Sequence, residues 1–155
     1  MTAGAKPAPA PKGTESTVKS IELAINLPHN PGTRIHLRLD VFASSVMLFL
    51  TSAIAEGGLG SAALGSFVYA MPDRYNPSQP MSTPLYNAPT SVDFATRMSK
   101  VLARKTKMPC YVGSSINLAG GAGGASVEEE MEAFRAIVGV VETAVQRAGI
   151  SGEDT

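Results

Sequence analysis

Two runs of alternating apolar and polar residues, only six positions apart, constrain the fold of this chain most. Val18 to Leu27 and Arg34 to Val41 each place their apolar residues on one face, with the period of a half-buried strand. The apolar positions are Ile21, Leu23, Ile25 and Leu27 in the first run and Ile35, Leu37, Leu39 and Val41 in the second. Since the connection is rich in Pro and Gly, the two runs predict an antiparallel hairpin.

Three further segments predict strands. Val46 to Leu50 is continuously apolar, which is typical of a strand covered on both faces, and Phe67 to Ala70 predicts the fourth strand. From Met71 to Pro89 the chain contains five prolines, so we expect it to be largely irregular or extended there. A short strand within Met81 to Leu85 would have to lie at a sheet edge, where proline is tolerated.

Two segments near the end of the chain predict helices. The first begins at a cap supplied by Thr90 or Ser91 and stops before Pro109, and Cys110 to Ser114 then predicts a short strand. The second helix runs from Val127 to Arg147, after a capping box formed by Ser126 and Glu129, and ends at Gly149. The apolar stripes are Phe94, Met98, Val101 and Leu102 in the first helix, and Val127, Met131, Phe134, Val138, Val141 and Val145 in the second.

Strands that come first, followed by segregated helices, predict an α+β fold. We expect a mainly antiparallel sheet or sandwich of five to six strands with two packed helices.

Residues 1–17 lack large apolar side chains and are predicted to be a disordered tail, and residues 151–155 a frayed end. Residues 18–150 then form one domain. No apolar stretch approaches the roughly 20 residues that span a bilayer, so we expect a soluble chain without a membrane partner. The single cysteine fits a cytoplasmic or nuclear location.

The residue types that carry catalysis or bind metals occur here without their usual partners. There is no G-x-S-x-G motif, and His29 and His36 are predicted to be solvated surface residues. Cys110 follows a helix C-terminus, so we expect a small buried apolar side chain and no activated thiolate. The glycine-rich stretch Ala119 to Ser126 lacks a P-loop ending, and the glutamates after it disfavour phosphate. The sequence therefore predicts no enzyme, no cofactor and no metal site.

The first helix carries a basic face formed by Arg97, Lys100, Arg104 and Lys105. Three interpretations remain open for it: ordinary solvated charge, a protein-docking surface, or a nucleic-acid site. The last is the weakest, because no aromatic side chain lies among the basic positions to stack on bases. Charge is also divided along the chain, with eleven basic and six acidic residues in 1–107 against two and seven in 108–155. A partner with a matching charged patch is therefore the interaction that we favour over nucleic acid.

Several motifs in register resemble the proteasome assembly chaperone 4 family. The most specific is the LARKT core within Val101 to Thr106, followed by Tyr111-Val112 in the next strand. Upstream, Asp73-Arg74-Tyr75 and then Pro80, Ser82-Thr83 and Leu85 resemble a family pattern, and the apolar strand Val46 to Leu50 occupies the position of the family's central strand. Downstream, Glu129 to Phe134 resembles the family's terminal EEMEAF helix, and the resemblance covers about residues 34–140 in all. The resemblance implies a non-catalytic chaperone that pairs with assembly chaperone 3 and helps to order alpha-type subunits of the 20S core particle, notably alpha 5.

If the chain is such a chaperone, we expect Arg97, Lys100, Arg104 and Lys105 to face a partner, because they lie on the exposed basic face of the first helix. Arg74 and Tyr75 are added to this partner-binding set, chiefly as anchors of the proline-rich loop. The chain departs from the family pattern in two places. The glycine-rich stretch Ala119 to Ser126 stands where the family has a strand, so a sixth strand there is absent, shifted or supplied by a partner. The last helix also extends well beyond Phe134. The alternatives are a small adaptor of the trafficking or signalling type and an enzyme using Cys110.

Overall fold

The computed structural model describes residues 19–27, 30–54, 64–116 and 127–149. Within these ranges the chain forms six strands and two helices in an α+β arrangement, as predicted. The strands are β1 (Lys19–Leu27), β2 (Asn30–Val41), β3 (Val46–Ile54), β4 (Ser66–Met71), β5 (Met81–Tyr86) and β6 (Cys110–Ser114), and the helices are α1 (Val92–Thr106) and α2 (Val127–Arg147). The predictions for both tails, His29, the Ser126 cap and a strand near Ala119 to Ser126 fall outside the described residues.

The six strands form one sheet in the order β1-β2-β3-β6-β4-β5. All neighbouring strands are antiparallel except β3 and β6, which pair in parallel from Val46 and Cys110 to Leu50 and Ser114. The predicted hairpin is β1 and β2, with Ile21 opposite Leu39 and Ile25 opposite Ile35. The expected edge strand also forms, since β5 pairs with β4 alone among the described strands and contains Pro84.

Both helices cover the same face of the sheet. The side chains beneath them come from alternate positions of the central strands and include the fully buried Leu39, Leu48, Val68 and Val112. From above, α1 contributes Phe94, Met98 and Leu102, and it packs mainly on β4 and β6, whereas α2 contacts α1 and reaches β1. The apolar stripe of α2 continues beyond Phe134, and its residues Ile137, Val141 and Val145 are buried within the chain.

Two details of the sequence prediction are wrong. The described residues do not cover the strand β3 on both faces: Val46, Leu48 and Leu50 are buried, but Met47 and Phe49 stay half-exposed. The stripe of α2 also begins later than predicted, because Val127 is 75% and Met131 46% exposed. Hydrophobic periodicity defines a helix face but not the length over which a neighbour covers it, and α2 projects beyond the core at its N-terminal end.

Ser91 occupies the N-cap position of α1, as predicted, but its hydroxyl group does not cap the helix. It accepts a hydrogen bond from the Ser66 backbone N–H at 3.1 Å and is hydrogen-bonded to Ser66 Oγ at 2.8 Å. Ser66 Oγ also donates to the Ala88 carbonyl at 3.0 Å. Because both serines are buried, this network fixes the start of α1 against the start of β4.

The Ser91→Ala variant should lower the free energy of unfolding by about 1–3 kcal/mol, since it leaves the buried polar atoms of Ser66 short of a partner. Urea unfolding followed by circular dichroism measures this. The matched control is Thr90→Ala, the exposed alternative cap, which should change stability by less than about 0.5 kcal/mol. Equal effects of the two variants would contradict the role given to Ser91.

Candidate protein-interaction surfaces

The side of the sheet that faces away from α1 and α2 is here called the open face. No helix in the described part of the chain covers it. The register places His36 beside Thr51, Arg38 beside Phe49, and Tyr69 beside Tyr111 on this side. Its side chains in β2 to β6 are Arg34, His36, Arg38, Asp40, Met47, Phe49, Thr51, Phe67, Tyr69, Met71, Met81, Thr83, Tyr86 and Tyr111.

An aromatic cluster occupies the β3, β6 and β4 part of the open face. Phe49 stacks on Phe67 with ring centroids 6.2 Å apart, and Phe67 stacks on Tyr111 at 6.0 Å. Tyr69 lies 4.8 Å from Tyr111. Exposed apolar side chains continue the cluster towards the sheet edge at Met71, Met81 and Tyr86. Contiguous apolar surface of this kind commonly marks a protein–protein contact.

Gly113 gives the open face its shape. A Cβ atom at this position would lie 2.8 Å from Phe49 Cδ1 and 2.9 Å from Leu64 Cδ1, so any side chain would displace these two residues. Without one, Phe49 and Leu64 rest directly on the backbone of β6. A depression of about 560 Å³ lies beside them and extends across β3 to β1 and β2.

The β1 and β2 part of the open face is polar. Asp40 has two polar partners there: Ser20 Oγ donates a hydrogen bond to Asp40 Oδ1 at 2.6 Å, and Arg38 Nε lies 3.4 Å from Asp40 Oδ2. Arg34 Nε donates to Asn26 Oδ1 at 3.0 Å. The face is thus divided into an aromatic half and a hydrogen-bonded, charged half, a combination that can fix both the affinity and the orientation of a partner.

A second concave surface, here called the helical groove, lies between α1, α2 and the β4–β5 connection. It contains the four cations of the basic face of α1, which the sequence assigned to partner binding: Arg97, Lys100, Arg104 and Lys105. Two of them are paired with α2. Arg97 forms an ion pair with Glu130, and Lys105 Nζ lies 3.1 Å from Glu142 Oε1.

Aromatic contacts between α1 and α2 also stabilise the groove, next to the ion pair of Arg97. The ring of Phe134 from α2 packs edge-on against Phe94 of α1, with centroids 5.7 Å apart. The Arg97 guanidinium lies over Phe134, 6.0 Å from the ring centroid. These contacts and the two ion pairs fix α2 across α1, so the groove is formed by the chain's own packing.

The predicted anchors of the proline-rich loop, Arg74 and Tyr75, do not anchor it. The Tyr75 side chain is 99% exposed, and Arg74 is exposed as well. The loop is held instead by Asp73, whose Oδ1 accepts a hydrogen bond from the Tyr75 backbone N–H at 2.9 Å, and by the buried Pro80. A contact of Arg74 or Tyr75 with a partner remains a prediction.

Cys110 is fully buried beneath α1, as predicted. Burial raises the pKa of its thiol to about 11, and a hydrogen bond with Thr106 only partly opposes this shift. No group of three or more potential metal ligands occurs among the described residues. In the same ranges, no helix has both the length and the apolar character needed to cross a bilayer.

Cys110 should therefore react slowly with a thiol reagent in the native protein. At neutral pH, a pKa of about 11 in place of 9.0 lowers the thiolate fraction by about a hundredfold. Labelling with a maleimide, followed by mass spectrometry with and without 6 M guanidinium chloride, measures the difference. Equal rates in the two states would mean that the thiol is accessible.

The fold of this chain and part of its sequence are similar to those of known proteins. A search of curated proteins found no match. Among solved structures, the fold is similar to a chain of a yeast complex described as a novel chaperone complex for 20S proteasome assembly. The TM-score is 0.62 at 18% sequence identity, and the match covers 81% of this chain and 96% of the yeast chain. Residues 34–116 match the family profile described as Proteasome assembly chaperone 4. The chain therefore belongs to the proteasome assembly chaperone 4 family.

Proposed function

We propose that this chain is one subunit of a heterodimeric chaperone that helps to order alpha-type subunits of the 20S core particle into a ring. It acts by transient binding, without catalysis. Family membership supports the chaperone role, and the yeast chain of similar fold is described as part of a chaperone complex. A subunit similar to assembly chaperone 3 is the proposed permanent partner, and alpha 5 the principal transient one.

The open face is the observation that carries this proposal. Three neighbouring strands, β3, β6 and β4, present Phe49, Tyr111, Phe67 and Tyr69 on the side that neither helix covers. A second sheet laid face to face over these residues would bury them as the core of a sandwich. The open face is therefore assigned to the chaperone partner, which leaves the helical groove on the opposite side for an alpha-type subunit.

A double variant at the rim of the open face, Met71→Glu with Tyr86→Glu, should weaken heterodimer formation by about tenfold or more, because interface aromatics contribute strongly and both charges would be buried. Both residues are exposed in the single chain, so its fold should survive. Analytical ultracentrifugation of the two co-expressed subunits measures the association.

Val127→Glu is the matched control, since Val127 is a 75% exposed apolar residue outside both surfaces. Unchanged association of the rim variant would assign the partner to another surface. A wild-type chain that remains a well-folded monomer at micromolar concentration, without precipitation, would contradict the heterodimer itself.

Partner identity tests the function as a whole. Affinity purification of the tagged full-length chain, followed by mass spectrometry, should recover a subunit similar to chaperone 3 together with alpha-type subunits. We expect mature core particles, recognised by their processed beta subunits, to be absent, because the chaperone leaves before assembly is complete. Recovery of trafficking or signalling components in their place would favour the adaptor alternative.

A further inference from the structure

The helical groove divides the four cations of α1 into two pairs with different roles. Arg97 and Lys105 are bound to Glu130 and Glu142 of α2, so their charges are compensated within the chain. Lys100 and Arg104 are exposed and have no ion-pair partner among the described residues. The uncompensated positive charge of α1 is therefore concentrated at these two positions, one helical turn apart.

Apolar side chains lie beside this uncompensated charge. Met131 of α2 is 46% exposed in the groove, and Val101 and Phe134 are only half-buried. The opposite wall is the β4–β5 connection, from Asp73 to Pro80. A ligand that fits the groove must therefore offer both negative charge and apolar surface.

We propose that the helical groove binds an acidic segment that carries apolar side chains. Its carboxylates pair with Lys100 and Arg104, and its apolar side chains pack on Met131 and Phe134. The assignment of this segment to an alpha-type proteasome subunit rests on the proposed function, whereas the chemistry of the segment follows from the groove.

The spacing of the two ion pairs along α1 gives the length of the segment that lies between them. Arg97 and Lys105 are eight positions apart, which corresponds to about 12 Å along a helix. An extended chain covers that distance with about four residues. Since Glu130 and Glu142 neutralise Arg97 and Lys105, the positive charge of α1 that is available to a ligand lies between the two ion pairs.

The decisive variant is Lys100→Glu with Arg104→Glu in the full-length heterodimer. Two charge reversals at exposed ion pairs should weaken binding of the alpha-type subunit by about tenfold or more. Met131→Ser, which changes no charge, should weaken it independently by removing the apolar contact. The charge-matched control is Lys19→Glu with Arg147→Glu, two exposed cations outside the groove, which should bind as the wild type does.

Biolayer interferometry of immobilised heterodimer with purified alpha-type subunits gives the affinities, and unfolding in urea verifies the fold. An array of overlapping peptides from the same subunits then identifies the segment. The proposal expects wild-type heterodimer to retain acidic, apolar-bearing peptides, in a salt-sensitive manner, and the Lys100→Glu, Arg104→Glu heterodimer to lose them.

The possible results distinguish the proposed function from the ligand assigned to the helical groove. If the wild-type heterodimer binds no alpha-type subunit but retains acidic peptides of the stated kind, the proposed function fails and the groove assignment stands. If the subunit binds wild type and the groove variant equally well, the groove assignment fails and the proposed function stands. Retention of basic peptides, or of single-stranded RNA in preference to acidic peptides, overturns the ligand chemistry.

Discussion

The centre of the sheet is apolar on both faces, but α1 and α2 cover only one of them. The rest of the structure depends on this difference. Leu48, Val112 and Val68 lie under α1 and α2, whereas Phe49, Tyr111 and Tyr69 lie on the opposite side of the same strands. The described residues leave Phe49, Tyr111 and Tyr69 partly exposed. An apolar surface of this kind is typical of a protein–protein contact, which connects the local sequence pattern to the chaperone role of the family.

Charge division along the chain has a structural explanation within the fold. The basic helix α1 and the acidic start of α2 are packed side by side, and Arg97 and Lys105 pair with Glu130 and Glu142. Exposed ion pairs contribute little individually, about 0–1 kcal/mol each, so the packing of Phe134 on Phe94 contributes more to holding the helices together. The pairs act mainly by fixing which cations remain available to a ligand.

The sequence predicted the elements better than their surroundings. Alternation in β1 and β2 determined the hairpin, and Pro84 placed β5 at an edge, because these are local properties of backbone and side chain. The hydroxyl of Ser91 instead bonds to Ser66, twenty-five residues away, which no local pattern predicts. The exposure of Val127 and Met131 likewise depends on where α2 crosses α1.

The candidate sites show the same distinction. The four cations of α1 were found from their spacing, but their division into paired and unpaired residues required the position of α2. The open face was missed, although alternate apolar side chains in three strands, at Phe49, Phe67 and Tyr111, were a usable signal. The continuous apolar run Val46 to Leu50 predicted a strand covered on both faces, but in the described part of the chain only the face that carries Val46, Leu48 and Leu50 is buried. Family membership removes much of the case for an adaptor, and the burial of Cys110 argues against a thiol enzyme.

Pro84 in the edge strand β5 restricts how this sheet can associate. A proline has no N–H group, so the outer side of β5 lacks one of the donors that an added strand would need. Lateral extension into a continuous sheet, the geometry by which exposed edges produce filaments, is therefore disfavoured at this end. Contact through a sheet face joins two layers instead and gives a complex of fixed size.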